Sequence, residues 1–291
     1  MSKMHKGMLV DGAELLQLLG TGTSGEVWSA LTRDGKVIAL KIYGGKDEMK
    51  NKADYECSMA GLFSCENILR PLGQSSFESH PVIRLPYCEG RSVDGIAAHF
   101  SVKMIWKLIA DVSSALTDIH GKGYGHFDVK PSNILWDGEK FMLSDFGACM
   151  NLRDVKPEES ASDGSSYRFD APELGRQQSS ASDIWSLGAT VFYLYMGCHV
   201  FNGLGGKAQH KDSPLPFMRK SLPELSKLVQ RCLDLNPEAR PTAKDINEIA
   251  KKEMKKLADS APKRSQRHIA ADGTVTKVKE FWSDQMIETI R

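Results

Sequence analysis

The sequence predicts an α+β fold in two lobes: a small antiparallel β-sheet carrying one helix, followed by a larger, mainly helical unit. Three observations predict it. Strand-like apolar runs fill the first third, and from about residue 95 the apolar residues recur at helical spacing. The chain has 291 residues, 41% of them apolar, which suffices for one large domain or two lobes around a shared core.

Taken in order, Leu15, Leu16, Leu18 and Leu19 run into a glycine-rich stretch from Gly20 to Gly25, then come Val27-Trp28 and the run Val37 to Ile42. Between the last two lies Asp34-Gly35, which reads as a two-residue hairpin turn with both positions at positive φ. Asp47 to Phe63 lacks proline and is rich in Lys, Glu, Met and Ala, so a single helix is expected there. A further strand ends in Val82 to Tyr87. Ile105, Leu108, Ile109, Val112, Ala115, Leu116 and Ile119 then form one apolar stripe on a long helix ending at Gly121. Ser182 to Met196 is apolar nearly all round, as in a helix buried within a bundle. Helices also read at Leu222 to Leu233 and Lys244 to Leu257. A polar stretch, Asp259 to Gly273, reads as a linker, after which Val278, Phe281, Trp282, Met286 and Ile290 recur at helical spacing.

Composition excludes several classes of function. With 38 Lys and Arg against 37 Asp and Glu the net charge is +1, so nothing points to nucleic acid or a membrane surface, and any polyanion site must be local. Met1 to Val10 holds no apolar core of signal-peptide length, so secretion is not expected. The longest nearly apolar run, Ala189 to Phe201, is shorter than the about 20 residues a membrane-spanning helix needs. Six cysteines without a C-x-x-C pair read as reduced thiols, and a cytoplasmic location is expected.

The chemistry is carried by short motifs. Gly20, Gly22 and Gly25, with Thr21, Thr23 and Ser24 between them, let backbone amides approach a phosphate without Cβ interference. A strand with Val27 follows rather than the helix of a dinucleotide site, and Ala39 and Lys41 lie on the next strand. This favours a lid over nucleotide phosphates with an ammonium aimed at them. The stretch His126-Phe127-Asp128-Val129-Lys130-Pro131-Ser132-Asn133 is followed by Asp145-Phe146-Gly147. At this point the sequence resembles the eukaryotic-type protein kinase family. The likeness continues through Ala171-Pro172-Glu173, Asp183 to Gly188 and Asn236 to Pro241, covering about Leu15 to Ile249.

The resemblance implies a bilobal kinase fold and a Ser/Thr protein kinase that moves the γ-phosphate of ATP to a protein hydroxyl. In it, Asp128 would act as base, Lys130 would steady the phosphoryl group, and Asn133 and Asp145 would hold Mg²⁺ or Mn²⁺. It also implies an ion pair of Lys41 with Glu56, Glu48 being the fallback, and another of Arg240 with Glu173. Adenine would lie on a hinge of Leu85, Pro86 and Cys88 between Val27, Ala39 and Leu135. Pro86 is harmless there because that position uses only its carbonyl. The implied division is an extension at 1–10 and a kinase domain at 11–257 (first lobe 11–86, hinge 86–91, second lobe 92–257). A linker and amphipathic helix at 258–291 would pack on the domain or on a partner protein.

One departure has a physical meaning. Phe127 stands where many kinases place an arginine that pairs with a phosphorylated activation-segment residue, so activity is expected without that phosphorylation. Ser160, Ser162, Ser165, Ser166 and Tyr167 lie in that segment, and Ser166 falls where a hydroxyl would bond Asp128 and Lys130. Lys130 and Ser166 both point to Ser/Thr specificity. Cys88 and Cys149 read as small apolar fillers rather than reactive thiols. The rival readings are a nucleotide-binding pseudokinase, disfavoured by the presence of Lys41, Asp128, Asn133 and Asp145, and a small-molecule phosphotransferase, disfavoured by Ala171-Pro172-Glu173 and Arg240.

Overall fold

The computed structural model describes residues 4–45, 47–90, 92–96, 100–155, 164–173, 178–211, 213–214 and 222–260. A six-stranded antiparallel sheet is ordered β1-β2-β3-β4-β6-β5, from β1 (Leu9–Val10), β2 (Ala13–Gly22), β3 (Gly25–Thr32), β4 (Val37–Tyr43), β5 (Gly73–Phe77) and β6 (His80–Pro86). Period-two alternation sorts its side chains. Trp28, Ala30, Ile38, Leu40, Ile42 and Val82 pack on one face with Val10, Ala13 and Leu15. The opposite face carries Ala39, Lys41 and Tyr43 of β4, with Val27 of β3 and Ile83 and Leu85 of β6 paired beside them. The segment before Asp11, expected as an extension, thus supplies an edge strand, and Val10 is fully buried.

The β3–β4 turn also differs from expectation. Gly35 donates its N–H to the Thr32 carbonyl at 3.0 Å, and Thr32 donates to Lys36 at 2.9 Å. The loop therefore has three residues, Arg33, Asp34 and Gly35, of which only Gly35 has positive φ (81°). The Thr32 hydroxyl binds both Asp34 Oδ1 and the Lys36 carbonyl, at 2.5 and 2.8 Å, and this ties a type I turn to a glycine bulge.

Helix α1 (Asp47–Gly61) lies between β4 and β5, and α2 (Val102–Gly121) opens the helical lobe. The Ser101 side chain caps α2 by accepting from the Met104 N–H, and the whole stripe from Ile105 to Ile119 is buried. Two short pairs follow: β7 (Tyr124–Gly125) with β10 (Met150–Asn151), and β8 (Ile134–Trp136) with β9 (Phe141–Leu143). Helix α3 (Ser180–Met196) starts on a capping box of Ser179 and Ser182 and stops at Gly197, whose left-handed φ of 72° suits a residue without Cβ. Helices α4 (Pro223–Cys232) and α5 (Ala243–Ser260) complete the lobe. The linker and terminal helix expected at 258–291 lie outside the described residues beyond Ser260. Among the described residues no helix is long and apolar enough to cross a membrane.

Helix α3 is buried on all sides because its middle turn is thin. A Cβ on Gly188 would stand 2.6 Å from Cβ of Cys232 on α4. Gly188→Ala is therefore expected to destabilise the domain by about 1–3 kcal/mol through overpacking, read as a lowered midpoint in thermal unfolding.

Candidate active site

Lys41 projects from the face of β4 that looks away from the apolar sheet core. Its ammonium lies 2.7 and 2.6 Å from the two carboxylate oxygens of Glu56 on α1 and 3.4 Å from Oδ1 of Asp145. Helix α1 buries only Ala53, Glu56 and Ala60, and a carboxylate on the buried stripe of a helix is tolerated only opposite a cation. Glu48 is exposed on the first turn. Burial works against the charge on Lys41, but Asp145 and Glu56 outweigh it and hold the ammonium above its usual range. Burial pushes the Glu56 carboxyl up despite Lys41. For Asp145 burial is opposed by Lys41 and the Gly147 N–H, which together hold the carboxyl below its usual range.

The second half of the site comes from the loop after β7. The Asn133 side-chain amide donates to the Asp128 carbonyl at 2.9 Å and to Asp128 Oδ2 at 2.8 Å, and Lys130 Nζ lies 2.8 Å from the same oxygen. The β8–β9 pairing continues as Ser144 donates through N–H and hydroxyl to the Asn133 carbonyl, both at 2.9 Å. That sets Asn133 beside the chain leading to Asp145. With its NH₂ engaged on Asp128, the Asn133 side chain offers its carbonyl oxygen to a cation. A carboxylate and an amide oxygen fit Mg²⁺ or Mn²⁺, which complete their shells with phosphate and water. Among the described residues no cluster of three or more His, Cys, Asp or Glu forms a protein-only metal cage.

The expected nucleotide lid and hinge frame this centre. Gly22 pairs with Gly25, leaving Thr23 and Ser24 at the hairpin tip after Gly20 and Thr21. Gly25 has φ of 154°, and a Cβ there would stand 2.0 Å from the Ile42 carbonyl oxygen, so only glycine fits; Gly20 and Gly22 face open space. Leu85 and Pro86 end β6 against Ala39 and Ile38. Cys88 is buried with Leu69 and Met142, and Leu85 and Leu135 pack against them. The Gly90 N–H binds the Trp136 carbonyl at 3.0 Å, in a contact so close that a Cβ would lie 2.4 Å from the Trp136 side chain. The connection between lobes is thereby clamped onto β8. Burial pushes the thiols of Cys88 and Cys149 up to about 12, which keeps both protonated at neutral pH.

The sequence pattern of the protein kinase domain matches residues 13–250. The chain belongs to the protein kinase family. It is 28% identical over 264 residues to MAP3K epsilon protein kinase 1 of Arabidopsis thaliana, covering 84% of this chain and 19% of that protein. To a probable serine/threonine-protein kinase of Dictyostelium discoideum it is 30% identical over 247 residues, 78% of this chain and 38% of the relative. To serine/threonine-protein kinase ppk11 of Schizosaccharomyces pombe it is 29% identical over 252 residues, 80% and 78% respectively. The chain thus spans well under half the length of the first two.

In the kinase domain the loop from His126 is held by a carboxylate that motif reading placed only at the start of a buried helix. Asp183, fully buried at the N-terminus of α3, accepts the N–H groups of His126 and Phe127 at 2.8 and 2.7 Å and a bond from His120 Nε2 at 2.8 Å. Burial alone would raise its carboxyl, but these donors hold it below the usual range. The neighbouring ion pair joins both Arg240 terminal nitrogens to Glu173, at 2.6 and 2.9 Å. Two tyrosines also escaped sequence reasoning. The Tyr43 hydroxyl donates to Glu56, and Tyr55 on α1 donates to the Cys149 carbonyl at 2.7 Å. No motif marks either one; for Tyr43 the signal was its place two residues after Lys41 on the same strand face. The hydroxyl contact expected of Ser166 lies outside the described side chains.

Asp183→Asn is expected to destabilise the domain by about 2 kcal/mol, because at least one buried N–H loses its acceptor. A carboxyl whose folded pKa is depressed adds stability at neutral pH and loses it as pH falls. The gap between wild type and Asp183→Asn, followed by denaturant titration, should therefore close as pH drops through and below the ordinary 3.8.

Proposed function

We propose that this chain is a Ser/Thr protein kinase that uses ATP with Mg²⁺ or Mn²⁺ and does not require phosphorylation of its activation segment. The observation that carries the reading is the convergence of Asp128, Lys130 and Asn133 on one loop with the Lys41–Asp145 contact across the cleft. Among the described residues, both bonds to the Asp128 carboxylate fall on Oδ2, which favours Oδ1 as acceptor of the proton of a substrate hydroxyl. The substrate hydroxyl oxygen then bonds to the γ-phosphorus as the bond from that phosphorus to the β-phosphate oxygen breaks and ADP departs. Lys41 is aimed at the phosphates, and Lys130 neutralises charge beside the transferring group. A divalent ion held by Asn133 and Asp145 would neutralise charge on the phosphate oxygens.

Independence from phosphorylation is supported by the contacts that replace the missing arginine. A Cβ on Gly125 would stand 2.2 Å from the Phe127 ring, so this ring lies flat against β7, the strand paired with the start of the activation segment. Tyr55 joins α1 to that segment through a neutral hydrogen bond. Neither contact needs a phosphate to offset a buried charge. A protein substrate is supported by the Arg240–Glu173 pair below Ala171-Pro172, and Ser/Thr specificity by Lys130. The six unpaired cysteines favour a reducing, cytoplasmic compartment.

Incubating the purified chain with labelled ATP and Mg²⁺ should label the protein itself or generic protein substrates. Asp128→Asn should lower kcat by about 10²- to 10⁴-fold, and Asp145→Asn should abolish transfer. Transfer only to small molecules, or none at all, would overturn the reading. Phosphatase-treated enzyme should keep its turnover within about twofold, and loss of turnover on that treatment would reject phosphorylation independence.

A further inference from the structure

Tyr43 lies on the same face of β4 as Lys41, two residues on, and only 1% of it is exposed. Its hydroxyl donates to Glu56 Oε2, and its ring lies 5.3 Å from the Lys41 ammonium. It therefore touches both members of the ion pair. Around the ring pack Ala53, Met49 and Cys57 of α1 with Ile83 and Leu85 of β6. Its backbone is fixed as well, because His80 on β6 donates from Nδ1 to the Tyr43 carbonyl at 2.7 Å. We propose that Tyr43 is a positioning residue, a latch that holds α1 docked so that Glu56 stays paired with Lys41.

The argument is one of polar satisfaction. A carboxylate has about four lone-pair sites, and a single ammonium beside Glu56 leaves some of them facing a desolvated space. The phenol fills one. Conversely, a helix displaced from the sheet would strand the buried hydroxyl together with the carboxylate, so departure of α1 costs two unpaired groups rather than one. Burial and the nearby Glu56 charge keep the phenol protonated, so it acts only as a donor. The Tyr55–Cys149 bond ties the same helix to a different segment. The latch deepens the kinase reading and rests on it for its effect on rate.

The test compares the full chain as wild type, Tyr43→Phe, Glu56→Ala and the double variant. Amide hydrogen exchange without nucleotide is measured beside kcat/KM for ATP. Tyr43→Phe removes one oxygen and keeps the ring. It should speed exchange in α1 by about tenfold, leave the sheet and helical lobe unchanged, and lower kcat/KM by about three- to tenfold. In the Glu56→Ala background the same substitution should change neither readout. The latch is overturned if α1 stays as protected in Tyr43→Phe as in wild type, if the effect is equally large without Glu56, or if protection falls across the whole sheet. A wild type that transfers no phosphate would sink the kinase reading instead, while the nucleotide-free exchange still judges the latch.

Discussion

One ammonium, that of Lys41, sits between carboxylates supplied by a helix of the first lobe and a loop of the second. Ion pairs taken out of water contribute little net stability, because desolvation offsets most of the Coulombic gain. What such a pair contributes is position, since losing either partner leaves a buried charge unmatched. The lobes are thereby tied at the place proposed for the phosphates, and the rest of the candidate site is arranged around that tie.

The loop that carries Asp128 is held by a comparable device. Asp183 offers its buried carboxylate to two successive backbone N–H groups and to His120, which fixes the loop where Phe127 turns through a positive φ of 59°. Asp145 is likewise at positive φ, 63°. Backbone conformations of this kind cost about 1–3 kcal/mol each and persist only where surrounding contacts over-determine them. His126 adds to that control, with Nε2 3.2 Å from the Ser144 carbonyl and Nδ1 taking the Asp128 N–H at 3.3 Å. For the loop at Phe127, the bonds that hold the strained residue come from the buried start of α3 rather than from the cleft.

Neutral groups do much of the remaining positioning. A phenylalanine ring lies against β7 where charge would otherwise need a counter-charge, and two tyrosine hydroxyls secure α1, one to its ion pair and one to the activation segment. Such neutral contacts need no phosphate to offset a buried charge, and the proposed independence from phosphorylation rests on them.

Much of the fold and of the site could be read without coordinates, for local reasons. Strands and helices declare themselves by periods of two and 3.6, and the buried stripe of α2 is visible residue by residue. The glycine-rich lid and the aspartate and asparagine motifs are short, so their spacing carries the chemistry. Tertiary structure decided the rest. Glu56 and Glu48 lie on one helix, and burial alone separates them. Tyr55 meets a partner 94 residues away, and Asp183 meets backbone N–H groups 57 and 56 residues away, so no local pattern could reveal either bond. Such long-range hydrogen bonds are closed by whichever groups packing brings within about 3 Å, not by proximity along the chain.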